Sequence, residues 1–407
     1  MKRIRGILAG ALVLVMLCAF TGCSNDPAPS EESLEWSYVS EYVSQGALSQ
    51  TGYYYTDGPL CYADFAAGAN AVLCQTPDCT HTRKCDAIIS ASSGTMQFWQ
   101  DRLYFVRVDY RGAFLYSRNS TGTAELKVCA LGKKYTEESA AFKIRGNCAI
   151  SNGFYYYCGA VTESVPDGYG GMKTQENRAF IACVNLKTGK EEIIFEEEFD
   201  KNLESLSICA VREDGVLFVH REGTEANMDD PDYVEKSRQM PMTLMQWSRE
   251  TRETTVVFSK PYLECASIKS VTAGKVYYLA LRTEEKDMAY RYYSYSLDTG
   301  KDKHEGDGSR WFLGGGYGTK QDSETGKNKL INLLTGEELP NVIDLGGAPR
   351  CKSELGFVWT KSIFKDPAAT TGTVSAQEYY YIPYESLADG AQESDLVYLC
   401  TRQMGGS

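Results

Sequence analysis

The chain has 407 residues and carries 42 Lys and Arg against 54 Asp and Glu, a formal charge of −12. That balance excludes nucleic acid and an anionic headgroup surface as partners, because both would be repelled by it. With 28 tyrosines and only 12 prolines, the composition suits pleated, half-buried strands.

The first elements are address signals. Lys2, Arg3 and Arg5 form a basic n-region, and "GILAGALVLVMLCAF" (6–20) an apolar stretch too short for a lasting membrane helix. "FTGC" follows, with small residues Thr21 and Gly22 before Cys23, the pattern of a lipobox in which the cysteine receives diacylglycerol. The expected organisation is a lipoprotein signal peptide over 1–22, lipidated Cys23 with a polar, proline-containing tether to residue 34, and one domain over 35–407. Lipid chains on Cys23 would hold the protein at the outer face of the cell membrane, with the bilayer as one partner.

Subtracting Cys18 and Cys23 from 14 cysteines leaves 12. An exported chain with an even cysteine count ordinarily carries disulfides. Most of these cysteines, however, lie in apolar strand patterns, where a free thiol behaves as a small hydrophobe. The expectation is reduced thiols, as in an anaerobic habitat. Cys148, Cys209, Cys265 and Cys351 fall at one point of an innermost strand and read as small residues at a crowded axis, with Cys129 and Cys183 as core of a third strand.

An internal repeat follows. A turn leading into an aromatic strand recurs as "GYYYTD" (52–57), "DRLYFVRV" (101–108), "NGFYYYCG" (152–159), "DGVLFVHR" (214–221), "GKVYYLAL" (274–281) and "LGFVWTK" (355–361). Behind each comes a strand closing in a tight turn, as in "LCYADFAAG" (60–68), "LKVCALG" (126–132), "FIACVNLKTG" (180–189) and "YSYSLDTG" (293–300). "WFLGGGYG" (311–318) with "LINLLTG" (330–336) makes a degenerate unit. Its glycine run lacks the Lys-Ser/Thr of a phosphate loop and reads as a turn. With a first strand (A) and a last (D) added, each unit is a four-stranded antiparallel sheet, and the spacing of roughly 50 residues is that of propeller blades. The fold class is an all-β propeller of seven blades, with six as the alternative. Pairing of a strand near 35–46 with "DLVYLCT" (395–401) is expected to close the ring.

In a propeller the B–C connections and D-to-A crossovers share one face. The expected long B–C loops are 109–124, 160–178, 221–243, 282–290, 314–328 and 361–377, with Asp109, Tyr110, Arg111, Tyr116, Asp167, Tyr169, Asp229, Asp230, Asp232, Tyr233, Arg282, Glu284 and Lys286 as candidate ligand contacts. Tyrosines stack on sugars and peptides, and carboxylates hold cations.

The crossover after the first unit reads "LCQTPDCTHTRKCD" (73–86). It places Cys74, Cys79, His81 and Cys85 within twelve positions of a chain with three histidines in all. Cys3His is a tetrahedral zinc donor set, and four protein ligands indicate a structural rather than a catalytic ion. The spacing is not that of covalent haem attachment. The alternatives are a disulfide, Cys74 with Cys85 or one of these with Cys61 or Cys79, and free thiols. His220 and His304 have no Ser or Asp partner motif, and neither a nucleophile elbow, a zinc-protease helix, a Walker loop nor a dinucleotide fingerprint is present.

With its lipobox, "YYYTDGPLCYADF" and "LCQTPDCTHTRKC", the chain resembles surface lipoproteins of Gram-positive anaerobes that carry a propeller domain of unknown function. "YYTD" (54–57) is similar to the YWTD signature of low-density-lipoprotein-receptor-type propellers. The resemblance implies fold and location and brings no catalytic residues. Two functions follow as expectations: a tethered binding protein for a glycan, a peptide or an envelope protein, or a carbohydrate-active hydrolase or lyase using paired carboxylates.

Overall fold

The structure is a computed structural model that describes residues 36–39, 46–82, 84–92, 94–137, 141–166, 171–199, 204–224, 230–282, 289–307, 312–321, 328–339, 347–352, 355–365, 373–388, 390 and 392–403. The described strands form seven antiparallel sheets taken in chain order, a seven-bladed β-propeller.

Blade 1 comprises Gly46–Leu48, Gly52–Thr56, Leu60–Asp64 and Ala69–Val72. Blade 2 comprises Gln97–Trp99, Arg102–Asp109, Gly112–Asn119 and Leu126–Leu131, and blade 3 Ala141–Ser151, Phe154–Pro166, Met172–Asn185 and Glu191–Glu198. Blade 4 is Ser205–Arg212, Gly215–Arg221, Pro241–Ser248 and Thr254–Pro261, and blade 5 Ser267–Thr272, Lys275–Arg282, Ala289–Ser296 and Asp302–Asp307. Among the described residues blade 6 has three strands, Phe312–Gly314, Tyr317–Gln321 and Asn328–Asn332, followed by a bridge from Ile331 to Glu338. Blade 7 is Gly347–Lys352, Gly356–Phe364, Val374–Pro383 and Val397–Gln403.

The core lies between blades. Apolar clusters join each neighbouring pair, for example Tyr104, Val106 and Leu115 of blade 2 with Tyr155, Tyr157 and Phe180 of blade 3. The abundance of tyrosine has its reason here. At four positions the ring is buried between two sheets while its hydroxyl reaches a backbone carbonyl on the neighbouring unit. Tyr54 donates to Ser120 O at 3.0 Å, Tyr155 to Thr95 O at 2.9 Å, Tyr277 to Leu333 O at 2.9 Å and Tyr384 to Leu313 O at 3.1 Å. A phenylalanine would fill the same space without that link between blades.

Ring closure differs from the expected pairing. Among the described residues the first and last blades share no strand. The N-terminal strand Ser37–Tyr38 pairs instead with strand A of blade 4, Ser37 opposite Val211 and Tyr38 opposite Ala210. The 395–401 stretch supplies strand D of a blade made wholly from C-terminal residues. What joins blades 1 and 7 is side-chain packing of Tyr53, Tyr55, Cys61 and Ala63 on Val358, Tyr379, Tyr381, Leu399 and Cys400.

Four of the expected long loops contain strand: in blade 6, Tyr317–Gln321 within 314–328 is strand B, in blade 7 residues 362–364 and 374–377 within 361–377 extend the hairpin, and two others are strand over most of their length. In blade 2, Gly112–Asn119 is strand C, reached through a turn of only two residues, so "LKVCALG" supplies strand D and Cys129 belongs to it. In blade 3 the hairpin runs on to Pro166 and Met172, its polar outer part paired through the backbone. The connection over 222–240 in blade 4 is long and contains the helix Tyr233–Gln239.

Candidate metal centre and the face that carries it

By strand alternation the crossover from blade 1 to blade 2 lies on the face of the B–C connections. Its second half is built into the ring. Ala87 and Ile89 are fully buried. The carbonyl of Ala87 accepts Leu60 N–H at 2.7 Å, that of Ile89 accepts Arg107 Nε at 2.9 Å, and that of Asp86 accepts Arg118 Nη1 at 2.7 Å. Arg118, itself nearly buried, also donates to Gly122 O and pairs with Glu125.

The first half has no such support. None of the described residues between 75 and 84 is buried. Packing therefore does not order this segment, and its own polar groups must. They converge. The donor atoms of Cys74, Cys79, His81 and Cys85 all lie within 4.8 Å of one another. Cys85 Sγ is 3.5 Å from Cys74 Sγ and 3.4 Å from His81 Nδ1. Zinc bonds of about 2.3 Å to sulfur and about 2.0–2.1 Å to nitrogen put neighbouring donors about 3.5–3.8 Å apart on a tetrahedron, so one ion could reach all four with small adjustments.

The backbone is shaped around this point. Asp78 (φ 56°) and His81 (φ 52°) adopt the left-handed conformation on either side of Cys79. Neither is glycine, so each costs of order 1–2 kcal/mol that the loop must recover elsewhere. Backbone N–H groups point at two of the sulfurs: His81 N–H to Cys79 Sγ and Ala87 N–H to Cys85 Sγ, each at 3.4 Å. Such contacts stabilise a thiolate. The His81 N–H holds the Cys79 thiol below its ordinary value. The Asp86 carboxylate beside Cys74 pushes that thiol up to about 12, and the hydrogen bond from Cys74 keeps Asp86 itself below the usual carboxylate range. A negative charge at Asp86 disfavours another thiolate and favours a cation in the cluster.

The 11 cysteines whose side chains are described are free thiols, with the Cys74 and Cys85 sulfurs 3.5 Å apart where a disulfide would bring them to roughly 2.05 Å. Cys61 lies elsewhere, in the core between blades 1 and 7, donating to Pro59 O. Cys148, Cys209, Cys265 and Cys183 are buried as small core residues.

The other expected contact residues stay on separate blades. Asp109, Tyr110 and Arg111 form the hairpin tip of blade 2. Tyr110 is 94% exposed, while Asp109 is engaged by Arg111 through its N–H at 2.8 Å and Nη2 at 2.7 Å, which holds the Asp109 carboxyl low. Tyr116 is not a loop residue: it stands in strand C under the Arg107 guanidinium, 4.5 Å from its ring centre. Asp230 and Tyr233 lie in the blade 4 connection, where Asp232 pairs with Lys236 at 2.8 Å. Arg282 ends strand B of blade 5. Cys23, Asp167, Tyr169, Asp229, Glu284 and Lys286 lie outside the described residues. Asp86 and Arg118, which sequence reasoning passed over, are the neighbours that set the charge and position of the crossover.

No protein-family profile and no curated protein matches the chain. Among solved structures it is similar to an oligogalacturonate lyase in complex with manganese, at 12% identity over 80% of this chain and 87% of that one, TM-score 0.49. It is also similar to an acylaminoacyl peptidase in complex with a chloromethyl ketone, at 12% identity over 84% of this chain and 51% of that one, TM-score 0.46. The β-propeller domain of the Trilobed protease from Pyrococcus furiosus matches at 11% identity over 85% of this chain and 93% of that one, TM-score 0.44. These are likenesses of fold, and no activity passes from them to this chain.

Proposed function

We propose that the chain is a binding propeller held at the outer face of the cell membrane through a lipid on Cys23, with Cys74, Cys79, His81 and Cys85 as a structural zinc centre. The observation that carries this reading is the convergence of Cys74, Cys79, His81 and Cys85 around a segment, 75–84, in which no described residue is buried. Zinc there would fasten the exposed half of the crossover onto its buried half, as structural sites do when packing is insufficient. The face so stiffened also carries the blade 2 tip and the blade 4 connection. Exposed Tyr110 with Arg111 over its ring at 5.4 Å offers a flat, cationic edge to a glycan, a peptide or an envelope protein.

The test is an array of cell-wall glycans and peptides probed with the full chain and with a Tyr110→Ala/Arg111→Ala variant. Retention of one ligand class, weakened at least tenfold in the variant, is expected. Turnover of a polysaccharide, abolished by one Asp or Glu substitution, would replace binding by catalysis. In cells, Cys23→Ala is expected to release the chain from the membrane fraction.

A further inference from the structure

The direction of the N-terminal strand carries a consequence for how the propeller stands on a membrane. Strand A is the inner edge of a blade, and Ser37–Tyr38 adds to the free edge of strand A in blade 4, on the channel side. Trp36 packs with Cys209, Ala210, Ile268 and Val271 of blades 4 and 5, and Val39 with Leu206, Ile208 and Val211.

The pairing is antiparallel, which fixes the direction of entry. Trp36 lies at the end of strand A that turns into strand B, under the Arg212 guanidinium, 4.3 Å from its ring. Val39 donates to Cys209 O at 2.8 Å, further toward the B–C end. The next described residue, Gly46, pairs with Tyr55 near the B–C turn of blade 1, on the face this path has reached. The chain thus enters the channel from the face of the A–B and C–D turns and emerges on the face of the B–C connections.

We infer that the A–B and C–D turns face the lipid bilayer, and that the face bearing the cysteine loop, the blade 2 tip and the blade 4 connection points away from it. This rests on the anchor at Cys23. Between Cys23 and Trp36 stand 12 residues (24–35), with a root-mean-square reach of about 20 Å as a flexible coil and about 40 Å at full extension. Turning the propeller over would need the tether to pass outward across four strands spaced about 4.8 Å apart and then along strands of eight residues, a path of about 45 Å. That path would draw the tether out to its full extension, more than twice its root-mean-square reach, whereas the face of the A–B and C–D turns lies where Trp36 leaves the channel.

The test uses the full chain in its membrane. A nine-residue epitope is inserted either between Tyr110 and Arg111, at a B–C tip, or between Lys187 and Thr188, in a C–D turn. Fab binding to each is measured on intact membranes relative to detergent-released protein. The B–C tag is expected to bind equally in both, and the C–D tag to lose at least tenfold on membranes. Equal access, or loss at the B–C tag, overturns the inference. A photo-crosslinking residue in place of Leu34 checks the path itself: cross-links to 213–214, 249–253 or 273–274 support it, and cross-links to 222–240 overturn it whatever the anchor. Membrane retention that Cys23→Ala leaves intact would overturn the anchor reading, and the cross-links would then alone decide the exit face.

Discussion

The ring of Phe65 lies flat against that of Tyr381, centres 3.8 Å apart and planes 5° from parallel. Phe65 follows strand C of the first blade and Tyr381 belongs to the last, so this contact spans the seam of the ring. Among the described residues no strand crosses it. Beside the stack, Tyr53 faces Tyr379 at 6.4 Å and Asn70 Nδ2 donates to Leu399 O at 3.1 Å.

Closure therefore depends on side chains. Tyr379→Ala, at a site 1% exposed, is expected to destabilise the protein by about 3–5 kcal/mol in denaturant titration. It should also raise hydrogen exchange first in blades 1 and 7. Removing the seam's exposed ion pair, Asp57 with Arg402 at 3.7 Å, through Asp57→Asn should cost under about 1 kcal/mol. Equal effects would mean that the seam is not held by its aromatic core.

The N-terminal strand should matter to the ring as well as to the tether. Trp36 is 8% exposed between blades 4 and 5. Trp36→Ala is expected to cost about 3–5 kcal/mol by denaturant titration. A change within about 0.5 kcal/mol would show that the channel strand is dispensable.

Glu125 links the cysteine crossover to blade 2 by accepting from Arg118 Nε at 2.9 Å and from both terminal nitrogens of Arg107. Burial raises its pKa, but the hydrogen bonds and charges of the two arginines outweigh that and leave the carboxyl below its usual 4.5. The unfolded chain then binds the proton more tightly. The pair's contribution is complete above about pH 4.5 and is lost as pH falls through the folded value. Glu125→Gln should lower stability at neutral pH by about 1.5–3 kcal/mol and flatten the acid limb of a stability–pH curve. An unchanged limb would remove Glu125 from this role.

Much of this architecture is legible in the chain. The B strands announce themselves by aromatic alternation after a turn, as in "DRLYFVRV", and their count carries the seven blades. Strand C of blade 2 was hidden because its hairpin turns on Tyr110 and Arg111 rather than on Asn-Gly, which made "GAFLYSRN" resemble a loop. The outer hairpin of blade 3 is polar on both strands, so hydrophobic patterning has nothing to report. The pairing of Ser37 and Tyr38 with Ala210 and Val211 involves two residues across a separation of more than 170, and no local signal marks it. For the metal site, the donors were visible in the sequence. Their convergence depends on left-handed turns at Asp78 and His81, which no glycine marks.

The central claim is tested most directly by measuring metal content per chain in protein purified without chelator, beside a Cys79→Ser/His81→Ala variant. The account predicts one zinc per chain, absent from the variant, with a lower melting temperature and a crossover cleaved faster by protease between residues 75 and 84. A metal-free native chain whose Cys74 and Cys85 are joined by a disulfide in the intact mass would contradict it.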